Sequence, residues 1–188
     1  MNAATAARIA DIYARTLMDL AQESGMVEAV SDDLEAISSV LAQELDLQPF
    51  LASPYFAEET RRDLMRRVFS GKVNQLTLHF VLVMVEHDRG GLLSRSIDRF
   101  RRLYRAYQGY EPVTATVAQG LSDEQTNKLA RDLAEAMKIK IDLDVQVDPS
   151  LLGGIVIRHG DKLLDNSIRG RLTRTVSRIT STEKRYKK

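Results

Sequence analysis

Two hydrophobic periods divide this chain, and the change between them bounds the folds open to it. From Ala3 to about Tyr107, apolar side chains return every three or four residues, the spacing of amphipathic helices. Beyond Gly109 and Pro112 they alternate singly, the spacing of half-buried strands. The pattern predicts a mainly α protein. An N-terminal six-helix bundle is expected over residues 1–108, and a smaller α/β domain with a short sheet and two helices over 109–188. A length of 188 residues suits two domains of that size.

The first helix is expected over 3–22, with Ile9, Tyr13, Leu17 and Leu20 in line and Gly25 closing it. Alanines at 3, 6, 7, 10 and 14 favour helix and let a neighbour approach closely. A second helix is predicted over 27–41, and a short third over 45–51 that Ser53-Pro54 breaks. A fourth opens at Glu58-Glu59, where the helix dipole favours acids, and stops near Gly71. The fifth, over 73–85, is apolar on nearly all sides and is ended by Gly90-Gly91. A basic sixth follows over 92–107.

In the second domain, Val113, Ala115 and Val117 alternate with threonines, which predicts a strand. Ser122 with Gln125 forms a capping box for a helix reaching Met137. Ile139, Ile141, Leu143, Val145 and Val147 then alternate with polar residues, which predicts a strand with one wet face. A strand over 155–158, a tight turn at Gly160-Asp161 and a return strand at Leu163-Leu164 come next, then a last helix over 166–180.

Several function classes find no support in the residues. The chain has no cysteine and three histidines, so thiolate sites and histidine metal cages are not expected. His79 has no second His or carboxylate at i+3 or i+4 and reads as a packed or rim residue, and His87 and His159, at element ends, read as turn residues. Gly153-Gly154 precedes a strand and lacks the phosphate-loop spacing, so it reads as a turn. No nucleophile elbow and no zinc-protease helix is present, and no cofactor is expected. No run of about 18 apolar residues offers a membrane span, and the opening segment carries charges where a secretion signal needs apolar residues. A soluble protein is expected. Net charge is +1, but 89–105 and 162–188 are rich in Arg and Lys. A nucleic-acid-binding adaptor is therefore the rival reading.

The most informative feature is surplus apolar surface. The fifth helix carries one stripe through Val73, Thr77, Val81 and Met84 and another through Leu76, Phe80 and Val83. The first carries Ile9, Tyr13, Thr16 and Leu20. Periodicity alone leaves two outcomes open: both stripes are core, or one stripe from each helix forms a groove for a partner helix.

The segment 148–172, DPSLLGGIVIRHGDKLLDNSIRGRL, resembles the signature region of the delta subunit family of F-type ATP synthases, which includes the oligomycin-sensitivity-conferring protein. The resemblance runs through Asp148-Pro149, Gly153, Gly154, the strand ending in Arg158, Gly160, Asp161, Asp165, Ser167, Ile168 and the run Arg169-Gly170-Arg171-Leu172. The opening helix around Tyr13-Ala14 is also similar. His87-Asp88-Arg89 stands where the family usually carries Asn-Gly-Arg. The resemblance implies a non-catalytic peripheral-stalk, or stator, subunit. Its helical domain would take up the N-terminal helix of an alpha subunit between the first and fifth helices, along Tyr13, Thr16, Leu20, Leu76, Phe80 and Val83. Its second domain would meet the C-terminal end of subunit b. No nucleic acid is expected as a partner, and the membrane is reached only through subunit b. The implied place is the cytoplasmic face of a bacterial inner membrane or its equivalent. Gly153 and Gly154 are expected to permit a tight turn. Arg169 and Arg171 are expected to hold Asp161 or Asp165, or to face a partner.

Overall fold

A computed structural model describes residues 2–175, and the statements below concern those residues. The chain forms two compact units, Met1–Tyr107 and Gln108–Lys188.

The first unit is helical: α1 (Ala3–Glu23), α2 (Val27–Gln43), α3 (Leu47–Ala52), α4 (Glu58–Phe69), α5 (Gln75–Glu86) and α6 (Leu93–Tyr107). α1 packs chiefly on α6, and α4 on α5, while α2 touches α1, α5 and α6. The alanine face of α1 explains its pairing. Ala10, Ala14 and Ala21 are buried, so Leu93, Ile97 and Phe100 of α6 can come close without voids. The centre is filled by Leu17, Leu34, Ile37, Met65, Val81 and Met84.

Two departures from the expected boundaries of the first unit have a local cause. α5 starts at Gln75 because Asn74 caps it, its side chain accepting from the Leu76 amide. Gly90 and Gly91 do not simply end a helix. They form a 3-10 turn, Gly90–Leu92, that leads straight into α6.

The second unit is a four-stranded sheet in the order β2-β1-β3-β4, built from β1 (Tyr110–Val117), β2 (Lys140–Val147), β3 (Ile155–His159) and β4 (Lys162–Asp165). β1 and β2 run parallel, joined by α7 (Asp123–Met137); the other pairings are antiparallel. The capping box that opens α7 is present in both directions: Ser122 Oγ accepts from the Gln125 amide, and Gln125 Oε1 accepts from the Ser122 amide. β1 begins three residues before the expected Val113 and contains Pro112. This is tolerated because β3 first pairs at Val113, so Pro112 has a strand on one side only. Gly160 takes φ +55 in the β3–β4 turn, the left-handed conformation expected at its first central position.

On the apolar face of the sheet, Val113, Ala115 and Val117 are buried, while the alternating row of β2 fades from buried Ile141 to Val147 at 54% exposure. β2 is an edge strand, and α7 buries none of its residues completely, so that end of the row stays open. Residues 168–175 form the described part of the last helix, α8; the predicted stretch to Thr180 lies outside the described residues.

Candidate functional site

The two stripes of α5 have different fates. Thr77, Val81 and Met84 are fully buried. Leu76 and Val83 are half-buried at the rim, and Phe80 is 9% exposed between them. Leu76, Phe80 and Val83 share one helix face by their spacing, as do Tyr13, Thr16 and Leu20 on α1. Tyr13 is half-buried, Thr16 exposed and Leu20 43% exposed. The faces meet where Tyr13 and Phe80 make an edge contact, with centroids 6.5 Å apart and planes at 68°. α1 and α5 do not pack as α1 and α6 do, so this aromatic contact bridges the seam. Of the six sequence-derived residues, Phe80 is essentially core and the other five keep solvent-facing surface.

The arginines of α6 are largely occupied within the unit. Arg101 forks onto Glu35 of α2, with Nη2 donating to Oε2 at 2.6 Å, and also reaches Asp98 and Ser38. Arg99 pairs with Asp11 of α1, which Arg15 also engages. These donors hold the carboxyls of Glu35 and Asp11 below their ordinary range, Glu35 mainly through Arg101 and Asp11 mainly through Arg15, then Arg99. A face spent on internal ion pairs is a poor phosphate-binding surface.

The His87-Asp88-Arg89 departure has a structural counterpart. Asp88 adopts φ +55, a conformation that glycine takes freely and Asp tolerates. Its carboxylate accepts from Nη2 of buried Arg61 at 2.6 Å, while Arg61 Nη1 donates to the Leu51 carbonyl at 3.2 Å. Arg61 thereby ties α4 to the end of α3 and to the turn after α5. An arginine at a core position of α4 gave no sequence signal of this role.

In the second unit the signature residues Gly153, Gly154, Asp165, Ser167 and Gly170 collect around the start of α8. Asp165 Oδ1 accepts from the amide and hydroxyl of Ser167, and Ser167 Oγ accepts from the Gly170 amide. The Ser167 hydroxyl, then its amide, hold the Asp165 carboxyl low. Gly170 lies against that carboxylate with no room for a methyl group. Gly154 has φ +80 and lies against the Asn166 carbonyl and Ser167 Cα, so it needs both the backbone freedom and the absent side chain. Gly153 lies beneath Ile168.

The expected partners of two arginines require correction. Arg169 donates to Ser150 Oγ at 3.1 Å, and Arg171 to Asn166 Oδ1 at 2.6 Å. The cation at Asp165 is Arg174, which donates to its carbonyl at 3.1 Å and stands 3.8 Å from its carboxylate. The reason is helical geometry. Gly170 and Arg174 are one turn apart on the face turned toward Asp165, and Arg169 and Arg171 lie to either side. Arg158 and Asp161 are exposed on the β3–β4 hairpin. Among the described residues no group of three His, Cys, Asp or Glu side chains could hold a metal.

The family model for the ATP synthase delta (OSCP) subunit matches residues 9–179. ATP synthase subunit delta of Symbiobacterium thermophilum is 33% identical over 183 residues, covering 97% of this chain and 96% of that protein. The corresponding subunit of Chlorobium phaeobacteroides is 33% identical over 162 residues, covering 86% and 90%. The chloroplastic subunit of Ochrosphaera neapolitana is 32% identical over 169 residues, covering 88% and 93%. In fold, the chain is similar to one in the cryo-EM structure of the Toxoplasma gondii mitochondrial ATP synthase hexamer, with a TM-score of 0.63 and 23% identity, covering 91% of this chain and 97% of that one. With a family model spanning both units and relatives matched nearly end to end, this chain belongs to the ATP synthase delta (OSCP) subunit family.

Proposed function

We propose that the six-helix first unit holds the N-terminal helix of an ATP synthase alpha subunit in the seam between α1 and α5, and that the second unit meets the C-terminal end of subunit b. Family membership makes the chain a non-catalytic subunit of the peripheral stalk; the proposal concerns which surfaces do the joining. The head is then held against the torque of the rotor, and proton flow is coupled to ATP synthesis. No helix among the described residues is long and apolar enough to cross a membrane. On this reading the membrane is reached through subunit b, from the cytoplasmic face or its equivalent.

The supporting observation is the seam bridged by Tyr13 and Phe80. Leu76 and Val83, on the Phe80 face of α5 by spacing, and Leu20, on the Tyr13 face of α1, keep apolar surface outside the core, the arrangement that accepts an amphipathic helix by its i, i+3, i+4 and i+7 anchors. Each Leu-sized anchor newly buried contributes about 1.5–3 kcal/mol. Several together give slow release, which a stator under load requires. Calorimetric titration of the full chain with a synthetic N-terminal peptide of the cognate alpha subunit tests the reading. Saturable one-to-one binding is expected, and no binding at high micromolar peptide would remove it.

A further inference from the structure

We propose that the Met26 thioether is an oxidation site, and that its conversion to the sulfoxide by a peroxide loosens the start of α5 and weakens capture of a helix between α1 and α5. Capture in that seam is the reading proposed above, and its regulation by Met26 rests on it.

Asn74 joins three elements through three polar groups. Its side-chain Oδ1 accepts from the Leu76 amide at 2.9 Å and caps α5. Its backbone amide donates to Asp33 Oδ2 of α2 at 2.7 Å. Its Nδ2 donates to Sδ of Met26 at 3.1 Å. Met26 stands in the turn between α1 and α2, with its amide bonded back to the Ala21 carbonyl of α1 at 2.8 Å. The thioether therefore ties the end of α1 to the start of α5, two residues before Leu76 at the rim of the seam. The Tyr13–Phe80 contact bridges the same two helices farther along.

Exposure singles out Met26 among the described methionines of the first unit. It is 39% exposed, whereas Met18 is 5% exposed and Met65 and Met84 are 0%. A peroxide in solution reaches Met26 first. The sulfur attacks one peroxide oxygen, and the S–O bond forms as the O–O bond breaks. Sulfur is oxidised by two electrons; the proton of the transferred hydroxyl passes to the departing oxygen, which leaves as water. One lone pair of the sulfur faces the Asn74 amide. An oxygen placed on it does not fit between two atoms 3.1 Å apart. An oxygen placed on the other lone pair draws charge from the sulfur, already a weak acceptor. Either epimer displaces Nδ2. The side-chain amide is one rigid plane, so Oδ1 moves with it, and the cap that fixes the first turn of α5 beside Leu76 is lost.

The test treats the full-length chain with millimolar hydrogen peroxide, maps the oxidised methionines by mass spectrometry, and titrates the chain calorimetrically with the cognate alpha N-terminal peptide. Met26 is expected to be oxidised before Met18, Met65 and Met84, and peptide affinity to fall about three- to tenfold, the size of a lost helix cap. Methionine sulfoxide reductases A and B, one for each epimer, are expected to restore it. Met26→Leu removes the acceptor for good, so its affinity should match that of the oxidised wild type and ignore peroxide. Asn74→Ser keeps a capping oxygen but offers Met26 no amide, so Met26 still oxidises and affinity does not follow. If the untreated chain binds the peptide and oxidation at Met26 leaves the affinity unchanged, the switch is wrong and the seam reading stands. Equal oxidation of the buried methionines, or a peroxide response of Met26→Leu as large as that of wild type, also overturns the switch. If the untreated chain does not bind the peptide, the seam reading falls and takes the switch with it.

Discussion

The ring of Tyr13 on α1 meets the ring of Phe80 on α5 edge-on, 6.5 Å between centroids, at a line where the two helices do not otherwise pack closely. Phe80 closes the core from beneath while Tyr13 stays half-exposed above it. The pair separates residues that hold the unit together from residues free to hold something else.

Leu76→Asp tests the free side. Leu76 is at the rim, so the unit should keep its helical signal. Loss of one apolar anchor worth about 1.5–3 kcal/mol predicts a ten- to hundredfold weaker alpha peptide complex by calorimetry. Phe80→Ala behaves differently: with 9% exposure it leaves a cavity and lowers stability by about 3 kcal/mol in urea titration. Unchanged peptide affinity in a folded Leu76→Asp variant would remove the seam as the docking line.

Asp88→Asn should cost more than its exposed position suggests. The Asp88 side chain is 73% exposed, but its partner Arg61 is 6% exposed, and without the carboxylate a buried guanidinium loses its charged acceptor. A destabilisation of about 1–2 kcal/mol is expected. Asn keeps the left-handed backbone, so the effect isolates the charge. In an Arg61→Met background Asp88→Asn should be nearly silent; full additivity in that double-mutant cycle would disprove the coupling.

Gly154→Ala and Gly170→Ala should weaken the second unit selectively. The first forces a side chain into φ +80 against backbone, and the second against the Asp165 carboxylate. Each is expected to cost about 2 kcal/mol or more. Hydrogen exchange should show lost protection in β3 and β4 with α1–α6 unaffected, and equal loss in both units would contradict the assignment.

Acid should loosen both units through different carboxylates. Asp165 and Glu35 have folded-state pKa values depressed below those of the unfolded chain. Their stabilisation is present above the unfolded value of about 4 and is lost as pH falls through the folded value. Glu35 is half-exposed, so its pair with Arg101 contributes at most about 1 kcal/mol and is sensitive to salt. Between pH 5 and pH 2, Asp165→Asn should flatten the stability curve of the second unit, and Glu35→Gln that of the first. Parallel curves for variant and wild type would show that these groups do not carry the linkage.

The sequence by itself determined the order and type of the elements. Helical recurrence, single alternation, the Ser122–Gln125 cap and the turn glycines are local signals, and local backbone physics acts on them before any distant residue is met. It also supplied the signature from 148 to 172 on which the family resemblance rests. Tertiary structure alone decided which stripe of α5 became core, that Arg101 spends its charge on Glu35 and Arg61 on Asp88, and that Arg174 rather than Arg169 or Arg171 reaches Asp165. Periodicity reports that a face is apolar but not what covers it, because coverage depends on neighbours far away in sequence. Ion pairs are settled in the same way: a charge takes the counter-charge that packing brings within reach, and spacing along the chain does not encode that distance.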